Sequence, residues 1–217
     1  MLYNLPEKIN KVEILNCNNN CQFCGIKERK NLTTEELKEL IKLGKKENDI
    51  LHFGNGEASI REDFVDLINF GRQLGYQIIQ LETNGRIFYY PQFVQKIKDI
   101  GIDKLIIKFY SHKKEIHEKI SRTLGSFEQT IGGIKNLVKN HKYVAINFNI
   151  SDLNYQEIPE IVEFLANLKI NEIIFQLTDG FNRDILKDVK RAELICTNYG
   201  ILKVYHSAGK LRVSLFG

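Results

Sequence analysis

Apolar positions along this chain follow two rhythms that take turns. Short runs rich in Ile, Val, Leu and Phe read as strands: Val12 to Leu15, Ile50 to Phe53, Ile78 to Leu81, Leu105 to Phe109, Val144 to Phe148 and Ile173 to Leu177. Near-continuous apolar character in runs this short is that of parallel strands covered on both faces. Between the runs, the spacing becomes helical. Thr33-Thr-Glu-Glu36 forms a capping box ahead of Leu37, Leu40 and Ile41. Phe64, Leu67 and Ile68 repeat the spacing, as do Phe93, Val94, Ile97 and Ile100 after Pro91. Ser126-Phe-Glu-Gln129 caps a fourth helix through Ile131, Ile134, Leu137 and Val138. Ile158, Ile161, Val162 and Leu165 mark a fifth, and Asp188 to Tyr199 a sixth. Gly75, Gly101 and Gly200 stand as terminators just before the next strand.

Six strand-then-helix units in a row predict a parallel sheet with right-handed crossovers. The 217 residues allow about 36 per unit, close to the ~30 of a βαβ module. A closed eight-unit barrel needs roughly 250 residues. The expected fold is therefore α/β, an open partial (β/α)6 barrel in a single domain over 1–217. The tail, Ile201 to Tyr205 and Leu211 to Leu215 across Ser-Ala-Gly, reads as a small C-terminal β-hairpin at one edge.

Composition narrows the class. Thirty-one basic and 27 acidic residues leave a net charge of +4, well mixed, which makes no case for nucleic acid or a membrane surface. No run approaches the ~18 apolar residues of a spanning helix, and the start, Met1-Leu-Tyr-Asn-Leu-Pro, does not read as a signal peptide. A cytoplasmic location with reduced thiols is expected.

Of the four cysteines, Cys17, Cys21 and Cys24 share one short loop, and Cys196 lies far away. Three close thiols in a reducing compartment point to metal or redox chemistry. The loop follows the first strand, at the C-terminal end where parallel α/β arrays place their chemistry. A structural zinc site takes four protein ligands, here completed by Cys196 or His52. A four-iron cluster on three thiolates keeps one iron open. Cys196, beside Leu194 and Ile195, reads as a small core residue.

The spacing Cys17-x3-Cys21-x2-Cys24, with Phe23 before the third cysteine, resembles the radical S-adenosylmethionine (radical SAM) superfamily. Three further segments carry the resemblance, in order over about residues 11 to 180. Gly54-Asn55-Gly56-Glu57-Ala58 is similar to the family's Gly-Gly-Glu-Pro, and Thr83-Asn84-Gly85 to its Thr-Asn-Gly. His117-Glu118, Arg122 and Gly125-Ser126-Phe127 are similar to its His-Asp…Arg…Gly-Ser-Phe stretch. The chain departs from the pattern at Asn55 and Ala58, and at Lys108, where many members have Ser. It departs again at Ala145, where some have Lys, whereas Asn147 matches.

The resemblance implies a [4Fe–4S] cluster on Cys17, Cys21 and Cys24 and S-adenosylmethionine bound to its open iron. Cluster potentials reach about −700 mV, low enough for a reductant of a sulfonium. Cleavage would give methionine and a 5′-deoxyadenosyl radical that takes hydrogen from substrate. By the family pattern Asn55, Gly56 and Glu57 receive the amino group or a ribose hydroxyl, and Phe23 packs near the adenine. Thr83 and Asn84 meet the ribose or adenine edge, Lys108 pairs with the methionine carboxylate or reaches solvent, and Asn147 and Arg122 belong to the same cofactor-binding set. A flavodoxin or ferredoxin is the expected electron donor.

The motifs are nearest to the branch holding the molybdenum-cofactor cyclase and the peptide-modifying enzymes, so the expected substrate is a peptide or small metabolite. An activase acting on a partner enzyme is the alternative within the class. A zinc-stabilised binding module is the alternative outside it. Glu82 is read as lining the cavity or pairing with Lys108, and His52 as a core or a site residue. His117 is expected to position its loop, and Gln176 and Asp179 to lie at the mouth. No Cys follows Cys196, so no Cys-rich auxiliary segment is expected within this sequence.

Overall fold

The computed structural model describes residues 8–26, 30–140 and 143–198, and the backbone of 204–206. All the predicted strands form: β1 (Ile9–Glu13), β2 (Ile50–Gly54), β3 (Ile78–Thr83), β4 (Lys104–Phe109), β5 (Val144–Ile150) and β6 (Glu172–Leu177). They pair in chain order, each parallel to the next. A short seventh strand, β7 (Val204–His206), extends the sheet and is also parallel to its neighbour β6. The first arm of the expected hairpin is thus a parallel edge strand, and the second arm, Leu211 to Leu215, lies outside the described residues. Because the order runs from β1 to β7 without β7 meeting β1, the barrel is open.

The helices α1 (Thr34–Lys45), α2 (Phe64–Gln73), α3 (Pro91–Lys98), α5 (Ser126–Asn140), α6 (Ile158–Asn167) and α7 (Leu186–Asn198) match the helical spacings. Thr33 caps α1 as expected, its hydroxyl accepting from the Glu36 N–H while Glu36 accepts from the Thr33 N–H. Ser126 is instead the first residue of α5, its hydroxyl 2.7 Å from that of Ser121. An additional helix, α4 (Lys114–Ser121), occupies the stretch between β4 and α5. Among the described residues, no helix is long and apolar enough to cross a membrane.

The strands are not apolar on both faces, which corrects the expectation from their composition. Leu51, Phe53, Ile79, Leu81, Leu105, Ile107, Phe109, Ile146, Phe148, Ile173 and Phe175 point outward and are fully buried in the core with the helices. The alternate positions line a cavity and are mostly polar: His52, Gln80, Glu82, Lys108, Asn147, Asn149 and Gln176. Side chains alternate across a strand, so the outer set builds the core and the inner set builds the site. The period of two is written in Leu-His-Phe-Gly, Ile-Gln-Leu-Glu and Ile-Asn-Phe-Asn, but the many Ile and Leu residues mask it.

Candidate active site

The C-terminal ends of β1 to β6 open onto one cavity of about 760 Å³. Cys17, Cys21, Phe23 and Cys24 line it, together with Asn55, Gly56, Asn84, Lys108, Tyr110, Asn147, Gln176 and Asp179.

The cysteine loop owes its path to three supports. The first is the turn after β2. Asn55 there adopts φ +67°, a left-handed conformation that Asn tolerates far better than other side-chain residues. Its Nδ2 donates to Glu13 Oε1 at 2.6 Å. Gly56 packs so closely on the chain leaving β1 that a Cβ would lie 1.7 Å from the Ile14 carbonyl oxygen and 2.4 Å from that of Asn16. The Glu57 N–H donates to the Asn16 oxygen at 2.8 Å, tying the two segments immediately before Cys17.

The second support is the turn after β3. Asn84 Nδ2 donates to Asn18 Oδ1 at 2.7 Å, and Arg86 Nη1 to the Asn18 carbonyl and to Asn19 Oδ1. The third is the end of α4, whose Ser121 and Ile120 carbonyls accept from the N–H groups of Asn20 and Gln22. Unpartnered carbonyls at a helix C-terminus are natural acceptors, and here they hold the loop between Cys17 and Cys24.

Beneath the cavity wall sits Glu57, 1% exposed. Oε1 accepts from the Thr83 hydroxyl at 2.7 Å and from Ser59, and Oε2 from the Asn84 N–H at 2.7 Å. Burial pushes its pKa up, against the pull of those hydrogen bonds and of Lys108. Glu57 and the fully buried Thr83 are not among the residues that line the cavity. Both have their hydrogen-bonding capacity turned inward, so they shape the turn that presents Asn84. Arg122 is exposed and is not among the residues that line the cavity. Its φ of +51° ends α4, and its N–H donates to the Glu118 carbonyl.

On the sheet floor Lys108 Nζ pairs with Glu82 Oε1 at 2.8 Å. Burial pulls the Lys108 pKa down, but the charge and hydrogen bond of Glu82, with smaller pulls from Cys21 and Glu57, together outweigh it and the net shift is upward. Burial raises that of Glu82, and Lys108 reverses it to a net lowering. Both groups are held charged, and Glu82 satisfies both readings of it, lining the cavity and pairing with Lys108. Asn147, in register with Lys108, donates from Nδ2 to Glu82 and Gln176. Its Oδ1 is buried and has no hydrogen-bond partner among the described residues, leaving an acceptor available to a ligand. His52 Nδ1 lies 3.3 Å from Gln80 Oε1, and burial lowers its pKa.

His117 is boxed by Phe109, Tyr110 and Phe127, at ring distances of 5.3 to 5.7 Å. Burial lowers its pKa to about 4, so it stays neutral and acts as packing that fixes α4. Cys196 is fully buried in the core and its thiol is pushed up to about 12 by burial, so it stays protonated away from the cavity. Tyr89 and Tyr90 form an exposed edge-to-face pair outside the cavity.

The donor set suits a soft metal centre. Three thiols share one cavity, and the Asn19 N–H points at the Cys17 sulfur from 3.4 Å. Among the described residues, no three His, Cys, Asp or Glu side chains are drawn together tightly enough to hold a metal ion. The thiols line the cavity without closing on a common point. Sequence reasoning missed Arg86, Tyr110 and Asn18, whose roles depend on contacts between distant turns.

Comparisons with known proteins agree on one family. The radical SAM superfamily matches residues 14–165. A probable GTP 3',8-cyclase of Saccharolobus islandicus is 28% identical over 163 residues, covering 72% of this chain and 52% of that protein. An AdoMet-dependent heme synthase of Methanosarcina barkeri is 30% identical over 161 residues, covering 70% and 45%. The chain thus spans about half the length of the curated relatives it matches. Streptococcus suis SuiB bound to precursor peptide SuiA superposes with a TM-score of 0.72 at 15% identity, over 92% of this chain and 48% of that one. Native anSMEcpe with bound AdoMet and a peptide superposes equally well, at 0.72 and 15% identity, over 91% and 63%. At such identities these structures speak for the fold.

Proposed function

The chain belongs to the radical SAM superfamily, and from that premise we propose that Cys17, Cys21 and Cys24 hold a [4Fe–4S] cluster beside S-adenosylmethionine. The observation that carries this reading is the opening of all three thiols, Asn84, Lys108 and Asn147 onto one cavity at the strand ends. Such a cluster supplies a low-potential electron that splits S-adenosylmethionine and so yields a radical able to take hydrogen from substrate.

The residues of this chain bind and orient. The backbone of Asn55 and Gly56 offers the amino group a rim that their tight turn holds rigid. Asn147 Oδ1 accepts from an ammonium or hydroxyl. Asn84 meets the ribose or adenine edge, and Phe23, 39% exposed at the cavity, covers the adenine. Lys108 shares its charge between Glu82 and the methionine carboxylate. Lys108→Ala is expected to weaken S-adenosylmethionine binding about tenfold, the worth of one charge-assisted hydrogen bond. An unchanged dissociation constant in equilibrium dialysis would reject that role.

The substrate in this reading is a peptide or small metabolite, and the electron donor a flavodoxin or ferredoxin. The polar floor of Gln80, Asn149 and Gln176 supports a substrate bearing hydrogen-bonding groups, and peptide-bound SuiB and anSMEcpe share the fold.

The test is anaerobic reconstitution with iron and sulfide. The expected result is about four irons per chain, a brown chromophore and dithionite-dependent release of 5′-deoxyadenosine, all lost in Cys21→Ala. Stoichiometric zinc with no such release would overturn the reading in favour of a binding module.

A further inference from the structure

One phenolic hydroxyl reaches the cysteine loop from the end of β4. Tyr110 Oη donates to Cys21 Sγ at 3.2 Å. The side chain lines the cavity, is only 5% exposed, and is fixed at three points. Asn154 Nδ2 holds its carbonyl at 2.6 Å, His117 packs on its ring at 5.3 Å, and the hydroxyl meets the sulfur. His117 is itself clamped by Phe109 and Phe127, so the ring has little freedom to turn the hydroxyl away. A phenol keeps its proton at neutral pH, so the hydroxyl is a donor to the sulfur it meets.

We propose that Tyr110 is a positioning residue that sets the reduction potential of an iron–sulfur centre on this loop, by donating its hydroxyl to the Cys21 sulfur. The proposal rests on the reading of the three thiols as cluster ligands. A hydrogen bond to a ligating sulfur stabilises the form of the centre with more negative charge, the reduced one, and so raises the potential. The Asn19 N–H and Asn84 Nδ2 act in the same sense on Cys17, at 3.4 and 3.8 Å. Both of those residues also build the loop, however, whereas Tyr110→Phe removes one oxygen and keeps the packed ring.

Wild type and Tyr110→Phe, reconstituted anaerobically, are compared by iron content, thermal melting and a redox titration followed by electron paramagnetic resonance. Equal iron and a more negative midpoint are expected in the variant. At a fixed poise its ratio of reduced to oxidised cluster falls about tenfold, ~59 mV for a one-electron couple. A second variant, 3-fluorotyrosine placed at position 110, keeps ring and hydroxyl but donates more strongly, and its midpoint moves the opposite way. Identical midpoints in all three chains overturn the proposal. So does a folded Tyr110→Phe chain that takes up no iron, because the hydroxyl would then build the site and not tune it. If the wild type itself takes up no iron, the cluster reading falls first and this one with it.

Discussion

Gly56→Ala is expected to yield a chain that folds less stably and loads little or no iron, although the substituted residue is no candidate ligand. A methyl group there would meet the Ile14 carbonyl oxygen at 1.7 Å and the Asn16 oxygen at 2.4 Å. Both obstacles are backbone, so a side-chain rotation cannot relieve the clash. The turn after β2 has to move off the end of β1, which breaks the 2.8 Å bond from the Glu57 N–H to the Asn16 oxygen. Overpacking of this kind costs about 3 kcal/mol or more when backbone must shift. The segment that loses this support, Ile14 to Asn16, leads directly into Cys17. Urea unfolding would register the stability loss, and iron per chain after reconstitution the lost site. An alanine variant with wild-type iron content would show that the close approach does not set the loop.

The second large effect is expected at Glu57. Glu57→Ala removes the acceptor for the Thr83 hydroxyl, the Ser59 hydroxyl and the Asn84 N–H, all in a buried site. A hydroxyl can rotate to another partner, but the Asn84 N–H cannot. Leaving such donors unsatisfied, with a void where the carboxylate was, costs about 3 to 5 kcal/mol. Because Asn84 also holds Asn18 in the cysteine loop, the damage is expected to spread to S-adenosylmethionine affinity. Glu57→Gln keeps the volume and one acceptor oxygen, and should lose less on both counts. Denaturation midpoints and equilibrium dialysis on the two variants separate the roles. If Glu57→Ala bound S-adenosylmethionine as the wild type does, the carboxylate would not be organising this wall.

The strands from β2 to β6 were legible because their outward residues must be apolar to bury the sheet against helices, and that demand is met within a few residues of sequence. The inner face was harder to read. Its demand is set by a cavity assembled from six strands, and Ile106 and Ile174 interrupt its polar pattern. The cysteine loop was legible for the opposite reason, since the spacing of three thiols is a local pattern that needs no tertiary contact to be seen. The hydrogen bonds that Glu57 makes to Thr83 and Asn84 could not be read from its motif. A motif states which residue is present, and not whether its oxygens face inward or outward. The α4 helix escaped notice because its single turn-and-a-bit of apolar spacing, Ile116 and Ile120, is too short to stand out from a loop.

What the sequence determined alone was local: which runs become strands or helices, where they cap and turn, and that three thiols share one loop. These follow from propensity, periodicity and spacing over a handful of neighbours. The tertiary structure decided which side chains face the cavity and which face the core. It also decided that Arg86 and α4 hold the cysteine loop, and that Tyr110 meets Cys21. Those contacts join residues up to 101 positions apart, as between Asn20 and Ser121, and they exist only once the sheet has curved and brought its strand ends to one side.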